Sequence, residues 1–244
     1  MFRYGSLLLL LSLVCCSVLV HAQEEIEEEF PKELVYGVNL NTNGGLLGGL
    51  MFRYAKISPL RPRTYNAFSM EIVGVKHPKE IRVPSIATGN SFIFGKRNYL
   101  FSVRPSYEKN VILFRKAEEE GVRVIGIFGG GPSLGIAKPY HILYRYGPGD
   151  IRSEAYDPDV HFAVENIFGT GGFFDGFDNA QYILGGHARI ALNLEFGAFR
   201  NSVAAVEAGF TVELFSRDIE LMNLAGRDRL FTAAYLSFMF GSRK

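Results

Sequence analysis

Eight segments of the chain alternate apolar residues with small or polar ones, and this period-2 pattern predicts β-strands. The segments are residues 34–41, 46–55, 64–75, 98–108, 122–137, 182–198, 202–215 and 229–240. In the first, Leu34, Tyr36, Val38 and Leu40 share one face, and Gly37, Asn39 and Asn41 share the other. Leu50, Phe52 and Tyr54 oppose Gly49, Met51 and Arg53 in the second, and Phe68, Met70 and Ile72 oppose Ala67, Ser69 and Glu71 in the third. The fourth sets Tyr99, Phe101, Val103 and Tyr107 against Ser102, Arg104, Ser106 and Glu108. The fifth is less clean, with Ile125 and Ile127 beside Arg123 on the polar face. In the sixth Ile190, Leu192, Leu194 and Phe196 oppose Arg189, Asn193 and Glu195; in the seventh Val206, Ala208, Phe210 and Val212 oppose Glu207, Gly209, Thr211 and Glu213. Turn residues separate the segments, from Thr42-Asn43-Gly44-Gly45 to the two prolines, Pro59 and Pro62, in 58–63.

None of the eight segments contains a lysine; every Lys falls between them or at an end. A sheet with one face in water would carry lysine freely on that face. Here the polar face offers Gly, Ala, Ser, Asn, Arg and Glu, the composition of a face crowded into a narrow bore. Each segment is long enough to cross a bilayer as a tilted strand, about 9–11 residues. In lipid every backbone N–H must be paired, so the sheet must close. The expected fold is therefore all-β: a closed antiparallel up-and-down transmembrane β-barrel of about eight strands. The count rises to ten if Ile142–Tyr146 or Val160–Ile167 joins the sheet. Eight strands leave room for packed side chains rather than a water channel. Buried charges survive when paired. Arg53, Arg104, Arg123 and Arg189 are thus expected to neutralise Glu71, Glu108, Glu195, Glu207 and Glu213 inside the barrel. Tyr36, Tyr54, Tyr65, Tyr99, Tyr107, Phe238 and Phe240 lie near strand ends, as an interfacial aromatic girdle would. An even strand count puts both termini on one side. The turns at 58–63, 109–121 and 199–201 then face the periplasm, and the loops at 77–97 and 138–181 face outward. A soluble barrel with its apolar face inward is the alternative of opposite sidedness.

The remaining features bound the picture. Arg3 followed by the apolar stretch Leu7–Val20 reads as a secretory signal, with cleavage after Ala22. Cys15 and Cys16 both fall inside it, so the mature chain has no thiol chemistry; the residues before them suit a lipoprotein site poorly. Residues 23–33 form an acidic leader, and 34–244 the barrel domain. Outside the signal no stretch is apolar enough for a spanning helix, and a net charge of +1 gives no nucleic-acid footprint.

Signal, hairpin rhythm and the closing strand Tyr235-Leu236-Ser237-Phe238-Met239-Phe240 together resemble small outer-membrane β-barrels of the OmpA/OmpX type, especially those common in Bacteroidota. The resemblance implies an outer-membrane location, contact with outer-membrane lipid, and an assembly signal at Phe238 and Phe240 read by the barrel-assembly machinery. It implies no single function. Members serve as adhesins, anchors, secretion-apparatus parts and, in a few cases, lipid-modifying enzymes.

Candidate chemistry is sparse. Gly131-Pro132-Ser133-Leu134-Gly135 matches the G-x-S-x-G nucleophile elbow, but no amphipathic helix follows it. The bland reading is a glycine-rich strand end at the barrel rim. No GK[ST] follows Gly126, Gly129 and Gly130, which excludes a phosphate-binding loop. Ser133, late in the fifth segment, and His187, early in the sixth, could meet at the outer rim as an activated hydroxyl facing the bilayer edge. The insert 138–181 is the most function-like stretch, since a long loop without periodicity usually carries function. Tyr140, His141, Phe173, Phe174 and Phe177 are its candidate contact residues, either packed as a lid over the mouth or meeting a partner. Asp157, Asp159, Asp175 and Asp178 offer carboxylate oxygens, but their spacing matches no EF-hand loop. No cofactor and no metal is expected. The function these features point to is a non-enzymatic envelope or secretion-apparatus component. A Ser/His lipid-modifying barrel enzyme and a small passive pore are the alternatives.

Overall fold

The structure, a computed structural model, describes residues 32–56, 63–114, 121–196, 202–223 and 225–243. The expected signal, both cysteines and most of the acidic leader lie outside the described residues, as does most of the turns at 58–63 and 199–201. In chain order the strands are β1 (Lys32–Asn41), β2 (Gly45–Lys56), β3 (Thr64–Val75), β4 (Arg82–Pro84), β5 (Ser91–Ile93), β6 (Asn98–Phe114), β7 (Arg123–Pro139), β8 (His141–Gly147), β9 (Asp150–Ala155), β10 (Ile167–Thr170), β11 (Gln181–Glu195), β12 (Ser202–Ile219) and β13 (Asp228–Arg243).

Eight of them close into an antiparallel barrel in the order β1-β2-β3-β6-β7-β11-β12-β13, with β13 returning to β1. The closing seam runs from Glu33 opposite Arg243 to Asn41 opposite Tyr235. Neither Ile142–Tyr146 nor Val160–Ile167 adds a wall strand, so the count is eight. Ile142–Tyr146 instead belongs to a separate three-stranded sheet, β10-β8-β9.

The period-2 pattern sets the sidedness directly, because successive side chains point to opposite faces of a sheet. Phe210 is 66% exposed on the outside, while Glu207 on the same strand is 0% exposed within. The same holds along β2 and β11, where Phe52 and Leu192 look out and Arg53 and Arg189 look in. Ile125 and Ile127 obey the rule as well, since both are buried in the bore beside Ala191 and Tyr235. One expectation about the girdle fails. Tyr65 has the parity of Ala67, not of Phe68, and packs inward with Ala55 and Ala67. Tyr99 is partly covered by the outer connections rather than free at a rim. Tyr36, Tyr54 and Tyr107 do stand outside.

Strands also run further than the lysine-free segments. β6 continues through Lys109 to Phe114, into the expected turn 109–121, and β7 includes Lys138. Lysines are therefore not excluded from the wall but confined to its margins, at Lys32, Lys56, Lys109 and Lys138. The G-x-S-x-G stretch is neither an elbow nor a rim; it lies inside the 17-residue β7. The β6–β7 ladder is interrupted beside it: Val103 pairs with Leu134 and Tyr107 with Gly130, and between them Pro105 faces Pro132 with no N–H on either side.

An arginine placed on this outer face would meet hydrocarbon if the wall spans a bilayer. Phe210→Arg is expected to lower stability by roughly 2–4 kcal/mol, measured by urea unfolding of protein folded into lipid vesicles. An unchanged midpoint would mean that Phe210 faces water.

Candidate functional site: a plugged lumen beneath a loop cap

The bore is filled by charge that cancels locally. Arg53 Nε lies 2.7 Å from Glu108 Oε2, and its Nη2 lies 2.7 Å from Glu207 Oε2. Arg189 reaches the same two carboxylates, at 3.3 Å from Glu108 Oε1 and directly on Glu207 Oε1. Two arginines and two glutamates thus form a closed ring. Ser69 Oγ donates to Glu108 at 2.5 Å, Tyr235 Oη to Glu207 at 2.9 Å, and Asn193 Nδ2 to Glu207 at 3.3 Å. Those donors occupy the remaining carboxylate lone pairs, which makes the buried charges tolerable. Gly129 makes the ring possible: a Cβ there would stand 2.9 Å from Glu108 Cγ and 3.3 Å from Arg189 Cγ.

A second cluster centres on Arg104, 3.3 Å from Glu71 and 2.6 Å from Glu213. Asn39 donates to Glu71, and Ser102 donates to Glu213 at 2.5 Å. A third lies at the end of the barrel that carries the termini, where Arg243 binds Glu33 at 2.8 Å and Glu195 at 2.5 Å. The sequence reading placed Arg53, Glu71, Arg104, Glu108, Arg123, Arg189, Glu195, Glu207 and Glu213 inside, and all of them are buried. It missed Glu33 and Arg243 because its first and last strands stopped short. Parity alone would have found them: Glu33 continues Val35-Gly37-Asn39, and Arg243 continues Ser237-Met239-Gly241. Between these charged layers Val35, Met51, Val203, Ala205 and Met239 fill the bore. A cavity of about 10 Å³ beside Glu33, Arg53 and Tyr65 is at the lower limit for a single water.

Ser133 and His187 do come together. His187 Nδ1 is 3.0 Å from Ser133 Oγ, and its Nε2 is 2.7 Å from Ser106 Oγ. Gly131, opposite His187 on β7, has no side chain in the way of this bridge, and a Cβ there would strike the Pro105 carbonyl at 2.2 Å. All three polar residues are buried in the bore. The expected position at the outer rim, facing the bilayer edge, is therefore incorrect: the odd-numbered residues of β7 point inward, and the barrel wall separates the pair from lipid.

At the end away from the termini the bore is stoppered by apolar side chains. Val75, Leu100, Ala137, Phe215, Ile219 and Phe231 converge there with Leu221 and Met222 from the β12–β13 connection. Above the stopper, residues expected to be loop are ordered. Pro139 ends β7, and after the single residue Tyr140 the chain enters β8 of the outer sheet. Tyr140 is 0% exposed. Its hydroxyl accepts from Ile93 N–H at 2.9 Å and meets Thr170 Oγ1 at 2.9 Å, tying the β3–β6 connection to the β7–β11 connection. Phe92, Ile93, Ile142, Tyr144, Tyr156 and Ile167 complete this second core. Tyr140 is consequently a core residue with no surface for a partner. His141 is half-buried, with Nδ1 3.1 Å from the Pro139 carbonyl. Phe173, Phe174 and Phe177 do not cover the mouth: Phe173 and Phe177 pack on Phe101, outside the wall, and Phe174 packs on those two.

The cap is fastened to the barrel by Arg97, 3.0 Å from Asp157, 3.4 Å from Asp159 and 3.9 Å from Glu220. Asp175 accepts from Gly172 N–H at 2.8 Å and from Ser153. Three of the four aspartates considered as Ca²⁺ donors are thus bound up in protein contacts, and no cluster of metal-ligating side chains occurs among the described residues. The Asp159 N–H and the Arg97 guanidinium hold the Asp157 carboxyl below its ordinary range.

A closed eight-stranded sheet, apolar outside and ion-paired inside, defines the class of small β-barrels that span a bilayer. No protein-family model matches the chain, and no curated protein matches it. Among solved structures it is similar to that described as the crystal structure of Ail, the attachment invasion locus protein of Yersinia pestis, in complex with the heparin analogue sucrose octasulfate. The two share 10% identity with a TM-score of 0.39, over 87% of this chain and 97% of that one. The fold assignment rests on the strand pairing itself.

Arg53→Met leaves Glu108 and Glu207 to share Arg189, and is expected to cost roughly 3–5 kcal/mol in urea unfolding. Adding Glu108→Gln restores the charge balance and should recover part of the loss; no recovery would show that the two side chains are not coupled. The cap tether should respond to acid. Folding lowers the Asp157 pKa, so its contacts contribute fully above the ordinary carboxylate range and are lost as pH falls below it. Hydrogen-exchange protection of amides 159–161 is expected to drop between pH 7 and about pH 3. In Asp157→Asn that pH dependence should disappear.

Proposed function

We propose that the protein is a non-enzymatic outer-membrane β-barrel acting as a scaffold, and that its capped end faces outward and meets a partner in the cell envelope. The observation that carries this reading is the filled bore. Charged rings and the apolar stopper leave nothing for a solute to pass through, so function falls to the surfaces. Sidedness supports the membrane location, because an apolar wall around a polar interior is stable in hydrocarbon and not in water. Both long connections leave the barrel at the end opposite the termini, the arrangement expected when the termini face the periplasm. Leu236, Phe238 and Phe240 form an outward stripe on the last strand, suited to recognition by the barrel-assembly machinery.

The cap is the candidate contact surface. Ile86 and Phe162 are each 80% exposed on it, and Val160 and Tyr146 are also exposed. A component of a secretion apparatus is the specific form to test first, and it rests on the family resemblance alone. A lipid-modifying enzyme has one observation in its favour, the 3.0 Å contact of Ser133 with His187. Against it stands the burial of both groups, which leaves no route for a lipid to reach them.

Three measurements test the proposal. In planar bilayers the purified protein is expected to give no steady conductance, and stable unit openings would refute the plugged bore. A photo-crosslinker at Phe162 in intact cells should give a discrete envelope adduct that one at Phe210 does not. The pair Ser133→Ala and His187→Ala should leave phospholipid and lipopolysaccharide profiles unchanged, and an altered profile would favour the enzyme.

A further inference from the structure

We propose that residues 171–178 are a membrane anchor for the cap, seating Phe173 and Phe174 in lipid at the boundary between headgroups and hydrocarbon. The inference deepens the membrane reading above and rests on it.

Position comes first. Ser102 is buried in the bore, so its neighbour Phe101 points outward. Phe177 stacks on Phe101 at 6.4 Å with an interplanar angle of 19°, and Phe173 meets it edge-on at 6.2 Å. The segment therefore descends along the outer wall instead of crossing the mouth. There it joins apolar surface already facing outward, since Phe101 pairs with Ile136, Ile136 pairs with Tyr182, and Tyr182 and Leu184 are exposed on β11.

Height comes second. Toward the termini, exposed Lys109, Asn66, Lys56 and Lys32 pair in a row across four strands and mark a polar edge of the wall, although Leu113 and Phe114 of β6 extend beyond it. From Lys109 to Tyr99 is ten residues, about 33 Å along a strand. A strand tilted by about 40° covers roughly 25 Å of that along the barrel axis, the height of an apolar band. The phenylalanine cluster sits beside Tyr99 and Phe101, at the far edge of the band, where interfacial aromatics belong.

Rigidity comes third. Phe173 and Phe174 are 63% and 80% exposed, yet they are held rather than loose. Their rings meet edge-to-face at 5.2 Å, and the Asp175 carboxylate pins the turn through Gly172 N–H. Lys138 Nζ donates to the Phe173 carbonyl while lying 4.8 Å over the Phe177 ring. Two fixed, adjacent phenylalanines are costly in water and favourable in an interfacial layer. A lipid surface is the occupant that fits, because Phe101, on which Phe173 and Phe177 rest with Phe174 packed against both, belongs to the lipid-facing wall.

The chain contains no tryptophan, so a single one can be read alone. Phe174→Trp and, as a mid-wall reference, Phe210→Trp would be folded into vesicles containing brominated phospholipid or exposed to aqueous iodide. Phe174→Trp is expected to emit at shorter wavelength than free tryptophan, to lose most of its emission to lipid brominated high on the acyl chain, and to resist iodide. Iodide quenching of Phe174→Trp without bromolipid quenching, while Phe210→Trp is quenched by bromolipid, would overturn the anchor and leave the barrel standing. Phe174→Trp shielded from both quenchers would mean protein covers it, and would also overturn the anchor. Failure of bromolipid to quench Phe210→Trp would remove the membrane reading and the anchor with it.

Discussion

Two arginines and two glutamates, each arginine touching both carboxylates, set what this barrel can be. The ring of Arg53, Glu108, Arg189 and Glu207 is neutral as a unit and starved of water. Such a unit tolerates burial only while every member is present and hydrogen-bonded. Its four side chains come from β2, β6, β11 and β12, so it forms only when those strands have curled into one sheet. The glycine at 129 and the small residues around it follow from the volume the ring needs. Among the described residues, five buried arginines in the bore face six glutamates, and beside Arg104 the neutral donors Asn39 and Ser102 add hydrogen bonds to Glu71 and Glu213.

Above the charged layers the same strands change character. Their outer ends carry Val75, Leu100, Ala137, Phe215 and Phe231 inward, which seals the ion pairs from bulk water. The cap is a second small fold raised on that seal. Tyr140 joins the two, because a single residue carries the chain from the barrel wall to the outer sheet while its hydroxyl bonds to both long connections. Arg97 adds a polar fastening at the margin, where the Asp157 carboxylate it binds makes the contact responsive to acid.

Much of this was legible in the chain. Alternation located all eight wall strands and the correct face of those to which it assigned faces, Tyr65 excepted, and β3 begins and ends where its pattern does. Parity put the nine named arginines and glutamates inside. Which arginine meets which glutamate was not legible, since that depends on the stagger between strands as well as on period. The first and last strands were read short, which hid Glu33 and Arg243. The outer sheet was read as loop because β8, β9 and β10 are short and pair across connections of their own. Tyr140 and Phe174 look alike in the sequence, both aromatic in a long insert. Only the tertiary path makes one a core residue and the other a surface residue.

The contact of Arg243 with Glu33 joins residues 210 positions apart. It lies on the strand pair that shuts the cylinder, so the first strand must wait for the last. Until β13 is in place, β1 offers one open row of backbone donors and acceptors, a template for wrong pairing. A loop this long is slow to close. Closure of the cylinder is therefore the last step of folding rather than its start, because the partner that protects the first strand is the last one made.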